Sequence, residues 1–168
     1  MAPSSLMQKI LIADDNESLR KALRDILSVR DGWSICGEAT NGRSAVSLAL
    51  ELKPDLIILD FLMPLMNGLA AAAEISKSLP DTPIVLYTMH KSSQLDREAK
   101  KVGISRVVSK TDRFDTFIAG LDELLAPNEA PIGPLGLANN YSTADSSEDL
   151  GSSGQSQRAR RPKGKSPR

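Results

Sequence analysis

Between Lys9 and Leu125, five short apolar runs alternate with five longer amphipathic segments, an order that few architectures accommodate. The runs are Ile10-Leu11-Ile12-Ala13, Trp33-Ser34-Ile35-Cys36, Leu56-Ile57-Ile58-Leu59, Ile84-Val85-Leu86-Tyr87 and Val107-Val108. The third is apolar at every position, which suits a central parallel strand covered on both faces. Between the runs, Leu19, Ala22, Leu23, Ile26 and Leu27 recur at helical spacing, as do Ala45, Val46, Leu48, Ala49 and Leu52. An Ala-rich stretch from Leu69 to Leu79, a more polar one from Ser92 to Val102, and Phe114, Phe117, Ile118, Leu121 and Leu125 complete the series. Strand–helix units in unbroken succession predict a parallel sheet with helices on both faces, because right-handed crossovers place them there. Turn chemistry agrees: Asn41-Gly42 precedes the second helix, Lys53-Pro54-Asp55 ends it, and Asn67-Gly68 opens the third.

The pattern stops after Ala126. Residues 8–126 are therefore read as one domain, 1–7 as an N-terminal extension and 127–168 as a disordered tail. Pro127, Pro131, Gly133, Pro134 and Gly136 lead into a Ser/Gly/Asp stretch with too few apolar residues to offset chain entropy. Net charge is zero, which gives no global argument for a nucleic-acid or membrane partner. The balance is uneven along the chain. The tail's six basic residues all fall between Arg158 and Arg168, against four acidic ones in the whole tail. No basic segment followed by an apolar one opens the chain, and no apolar stretch approaches the roughly 20 residues that span a bilayer. A cytoplasmic location is expected. Cys36, the one cysteine, reads as a core thiol of a reducing compartment.

The chemistry lies where the strands end. Asp14-Asp15 follow the first run, Asp60 the third and Thr88 the fourth, and Lys110 lies just beyond the fifth. In a parallel sheet these ends share one edge, where open α/β folds bind ligands. Neighbouring carboxylates repel unless a cation lies among them. Oxygen donors without His or Cys favour a hard ion such as Mg²⁺. An aspartate so placed can act as a nucleophile and form an aspartyl phosphate, with the metal and a lysine neutralising charge on the transferring oxygens.

The segments Ile10-Leu-Ile-Ala-Asp-Asp-Asn and Leu59-Asp-Phe-Leu-Met-Pro-Leu-Met-Asn-Gly68, with Thr88 and Lys110, resemble the response-regulator receiver family of two-component systems. The resemblance covers about Lys9 to Leu125 and implies a CheY-like, flavodoxin-like (βα)5 fold with strand order 2-1-3-4-5. It also implies the roles. Asp60 would be the phosphoacceptor, with a sensor histidine kinase as donor. Asp14, Asp15 and Asp60 would hold Mg²⁺, Asp15 as a direct ligand. Thr88 would be the switch hydroxyl and Lys110 the charge partner of the phosphoryl group. Signalling would proceed by protein–protein interaction through the face of helix four, strand five and helix five. Three positions depart from the pattern, one being Thr111, which follows Lys110 where proline is common. Val107 stands where Tyr or Phe is common, and Met89 stands where a small residue is usual, which would narrow access to the acceptor. His90, the sole histidine, reads as a solvated loop residue; the alternative is that His90 and Leu62 flank the site and tune water access.

The Trp33–Asp60 stretch is most similar to receivers that precede a LuxR-type helix-turn-helix domain. The remainder after Ala126 is shorter than the roughly 60 residues such a domain needs and lacks its periodicity. The output is thus an unidentified protein target, and no nucleic-acid partner is expected. Two alternatives stand beside this reading: a regulator whose basic tail binds nucleic acid or an acidic partner, and an intermediate carrier in a phosphorelay. An ordinary enzyme is not expected. Leu62 occupies the place of the acid/base aspartate of aspartate-nucleophile phosphohydrolases, and no G-x-x-x-x-G-K-[ST] or G-x-G-x-x-G motif occurs.

Overall fold

A computed structural model describes residues 7–126; the N-terminal extension, apart from Met7, and the expected tail with its basic end lie outside them. Ten elements alternate without exception: β1 (Gln8–Ala13), α1 (Glu17–Ser28), β2 (Trp33–Ala39), α2 (Gly42–Leu52), β3 (Leu56–Leu59), α3 (Gly68–Ser78), β4 (Ile84–Thr88), α4 (Ser93–Lys101), β5 (Arg106–Ser109) and α5 (Phe114–Leu125). All strands are parallel, in the order β2-β1-β3-β4-β5.

Strand periodicity divides the core into two layers. Alternate strand residues Leu11, Ala13, Ile57, Leu59, Ile84 and Leu86 pack with the apolar stripes of α2, α3 and α4. Their neighbours Ile10, Ile12, Leu56, Ile58, Val85 and Tyr87 pack with α1 and α5, including Leu23, Leu27, Phe117 and Leu121. A fully buried Leu or Ile contributes about 1.5–3 kcal/mol relative to an exposed one, so each layer alone outweighs any single turn or cap. Asn16, Asn41, Asn67 and Ser92 each accept the amide three residues on and start α1, α2, α3 and α4. Such a cap is worth about 1 kcal/mol over alanine.

Two expectations need correction. Ile26 was placed on the core face of α1 but is 42% exposed. The contact stripe of α1 is narrow, built on Leu23 and Leu27, and Ile26 borders a surface groove with Val29 and Ile118 instead. The Trp33–Cys36 run is not a buried strand throughout. β2 is a sheet edge, so Trp33 is buried while Ser34 to Glu38 are half-buried. Cys36 sits at an irregularity where pairing jumps from Ile10↔Ile35 to Leu11↔Gly37. Its thiol lies 3.4 Å from the Ile10 carbonyl oxygen, and partial burial pushes its pKa up.

Candidate functional site

Strand register assembles the site before any side-chain contact is considered. Ala13 pairs with Leu59, so the next residues, Asp14 and Asp60, stand side by side where β1 and β3 end. The Asp60 amide donates to the Ala13 carbonyl at 2.8 Å, and the Asp14 amide to Ala39 at 3.1 Å. One strand pair further on, Thr88 pairs with Ser109, and the Lys110 amide donates to the Thr88 carbonyl at 2.8 Å.

Oxygens of Asp14, Asp15 and Asp60 all lie within 4.8 Å of one another, Asp14 and Asp60 buried and Asp15 exposed. The Lys110 ammonium stands 2.6 Å from Asp14 Oδ2 and 3.2 Å from Asp60 Oδ1. The remaining acceptor capacity is partly used within the loops: Asp14 Oδ1 accepts the Asn16 amide at 2.9 Å, and Asp60 Oδ1 the Phe61 amide at 2.8 Å. One ammonium offsets one of three carboxylates, and the donor set is oxygen alone. Such a set fits a hard divalent cation and no soft one.

Burial pushes the Asp60 carboxyl above the usual range; Lys110 opposes the rise and the Asp14 charge adds to it. A carboxyl with a raised folded pKa favours the fold when protonated, and that contribution is lost as pH rises through the folded pKa. Asp60→Asn is therefore expected to stabilise the chain by about 1–2 kcal/mol at neutral pH. The gain should shrink as pH falls toward the unfolded carboxyl value, and urea unfolding across pH with a chelator present checks it.

The loop after Asp60 is shaped by its backbone. The Met66 amide donates to the Pro64 carbonyl at 2.7 Å, and the intervening Leu65 has φ of 66°. This is a γ-turn of the rarer, strained hand. The Gly68 amide then returns to the Phe61 carbonyl at 2.9 Å and closes the loop onto α3.

The structure thus joins Asp14, Asp15, Asp60 and Lys110. Thr88 is fully buried beside them, but its hydroxyl oxygen accepts the His90 amide at 3.1 Å. His90 and Leu62 are exposed, and Met89, expected to crowd the acceptor, is itself 59% exposed. Sequence reasoning passed over Arg20 and Glu38. Arg20 donates from a guanidinium nitrogen to the Asp14 carbonyl at 2.7 Å. A basic residue in the second turn of a helix carries no sign of that; only the facing Glu38 on β2, known once the sheet is built, exposes it.

The sequence profile of the response regulator receiver domain matches residues 10–122. The transcriptional regulatory protein YdfI of Bacillus subtilis is 37% identical over 122 residues, covering 73% of this chain and 57% of that protein. The chemotaxis protein CheY of Thermotoga maritima is 39% identical over 117 residues, covering 70% of this chain and 97% of that one. Among solved structures, chemotaxis protein CheY4 of Vibrio cholerae superposes with a TM-score of 0.66 at 29% identity, over 71% of this chain and 99% of that one. The chain spans little more than half the length of the transcriptional regulators it matches and nearly all of the chemotaxis protein. Among the described residues, no helix is long and apolar enough to cross a membrane.

Proposed function

The chain belongs to the response regulator receiver family of two-component signalling, and from that premise we propose that Asp60 accepts a phosphoryl group from a sensor histidine kinase in a Mg²⁺-dependent reaction. The observation that carries the proposal is the Asp60 carboxylate held beside Asp14 and Asp15, with the Lys110 ammonium 3.2 Å away. An Asp60 oxygen attacks phosphorus, the bond from phosphorus to the kinase imidazole nitrogen breaks, and the freed imidazole is protonated by solvent. Asp14, Asp15 and Asp60 are the residues that would hold Mg²⁺, which supplies positive charge for the phosphoryl oxygens. Lys110 offers a second positive charge, 3.2 Å from Asp60 Oδ1. Thr88 would exchange its bond to the His90 amide for one to a phosphoryl oxygen, moving the β4–α4 connection as it turns.

The signal leaves through the face of α4, β5 and α5 to a protein target. Receiver domains are signalling modules rather than ordinary enzymes, and the chain matches the chemotaxis protein over 97% of that protein's length. Val107 is half-buried on β5, so no aromatic ring reports Thr88 from that position.

Incubation with acetyl phosphate and Mg²⁺ followed by intact-mass analysis tests the assignment. One phosphate should be gained by the parent chain, and none by Asp60→Asn or by the parent with a chelator. A gain that survives in Asp60→Asn, or no gain from either acetyl phosphate or a phosphorylated kinase, would overturn it.

A further inference from the structure

Asp15, the residue most exposed to water in the carboxylate cluster, lies beyond the β1 ladder yet has its backbone held on both sides. Asp15 has two flanking peptide planes. The plane shared with Asp14 is fixed by its carbonyl, which accepts from Arg20 Nη1 at 2.7 Å. The plane shared with Asn16 is fixed by its amide, which donates to Asp14 Oδ1 at 2.9 Å. With both planes held, the backbone angles of Asp15 are set, and with them the direction in which its side chain leaves the chain. Asn16 ties the far end of the segment down by capping α1 at the Leu19 amide.

Of these restraints, only Arg20 reaches in from outside the loop. Its side chain is 12% exposed, and its Nε lies 3.6 Å from Glu38 Oε2. Nε is buried and finds no hydrogen-bond acceptor among the described residues. Glu38 holds its closer contact, 2.8 Å, with Arg24 Nη1. The guanidinium is thus kept largely buried for the sake of one strong bond, the one to the Asp14 carbonyl, which lies just past the last ladder bond of β1.

We propose that Arg20 is a positioning residue for divalent-cation binding, fixing Asp15 by clamping the Asp14–Asp15 peptide against α1. The proposal rests on the metal-binding reading of the three carboxylates given above. It also makes a prediction of sign. By charge alone, deleting a cation behind an acidic pocket strengthens the binding of Mg²⁺. By positioning, it weakens binding, because an outer partner that orients a ligand is worth about tenfold or more in metal affinity.

The test is Mg²⁺ titration of the full chain, followed by calorimetry and by the amide resonances of Asp15 and Asn16. Arg20→Met should bind about tenfold more weakly, with the Asp15 resonance broadened or displaced before any metal is added. Arg24→Met removes the same charge from the same ion-pair cluster and leaves the Asp14 carbonyl bond intact; it should stay within about twofold of the parent. Leu27→Ala, a core truncation in the last turn of α1, supplies a chain of lowered stability that should also retain parental affinity. If Arg20→Met unfolds, Arg20→Lys, which keeps the charge and replaces the planar guanidinium by a shorter-reaching ammonium, tests positioning without the charge effect, and weaker binding is again expected. Unchanged or tighter binding in the Arg20 variant, or equal losses in the Arg20 variant and Leu27→Ala, would overturn the assignment while leaving the pocket's reading in place. Absence of saturable Mg²⁺ binding by the parent would overturn the pocket's reading itself, and this inference with it.

Discussion

A Lys110→Met chain is expected to lose about 3 kcal/mol of unfolding free energy at neutral pH in chelator, and to accept no phosphoryl group. The side chains of Lys110, Asp14 and Asp60 are 11%, 3% and 9% exposed, so water screens none of them well. Methionine keeps the stem and its packing but leaves two buried carboxylates facing each other. Part of that repulsion is relieved by proton uptake. With its chief positive neighbour gone, the Asp60 carboxyl rises further, and the folded chain then binds a proton more tightly than the unfolded one. The deficit should therefore be greatest at neutral pH and shrink as pH falls. Millimolar Mg²⁺ should also reduce it, because without the ammonium the more negative pocket of the folded variant binds the cation more tightly than the parent's and gains more stability from it. Urea unfolding at two pH values, with and without Mg²⁺, reads all three arms. A deficit under about 1 kcal/mol at neutral pH, within the range of an exposed pair, would show that the carboxylates do not depend on Lys110.

The second large effect is expected from the smallest substitution. A Cβ on Gly68 would lie 2.2 Å from the Asp60 carbonyl oxygen and 2.9 Å from Leu86 Cδ1. The leucine methyl can swing aside. The carbonyl cannot, because it belongs to the backbone of Asp60 itself at the end of β3. Gly68 has an ordinary helical role at the start of α3, where alanine would by propensity be preferred by about 1 kcal/mol. Space rather than conformational freedom therefore dictates glycine, and Gly68→Ala should cost about 3 kcal/mol net. Because the displaced atoms are those of Asp60, phosphoryl uptake should fall even under conditions where the variant is fully folded. Gly120→Ala is the control. The three atoms nearest its Cβ would all belong to the Arg106 side chain, the closest being Nη1 at 2.6 Å, and that side chain can move, so a neutral or slightly stabilising result is expected. Equal behaviour of the two variants would refute the steric account.

The fold was legible because the three central strands are short and wholly or largely apolar and every helix carries a usable stripe, so the two periodicities never compete. The acidic edge was legible for the same reason: once Ile10–Ala13 and Leu56–Leu59 are parallel neighbours, Asp14 and Asp60 have no other place to be. What could not be read depends on contacts rather than periods. Position in the sheet left Cys36 at an irregular edge pairing and only half-buried, and nothing in the Trp33–Cys36 run distinguishes an edge from a centre. The narrow stripe of α1 left Ile26 outside. The positive φ of Leu65 gives no sign in composition, since Gly or Asn would ordinarily mark it. Lys110 was read as a partner for the acceptor, yet its shorter contact is with Asp14. Arg20 looks like any solvated helix residue until β2 brings Glu38 alongside.

The ion pair between Asp14 and Lys110 spans 96 residues of sequence. Its members come from the first strand and from just beyond the last, and the acceptor lies between them. A growing polypeptide on the ribosome has Asp60 long before it has a site, since β5 and Lys110 come about 50 residues later. No nascent or C-terminally clipped chain lacking that strand should take up phosphate, whatever secondary structure it has already formed. On the proposed function, phosphoryl uptake would thus report closure of the sheet through β5 and not merely the presence of Asp60.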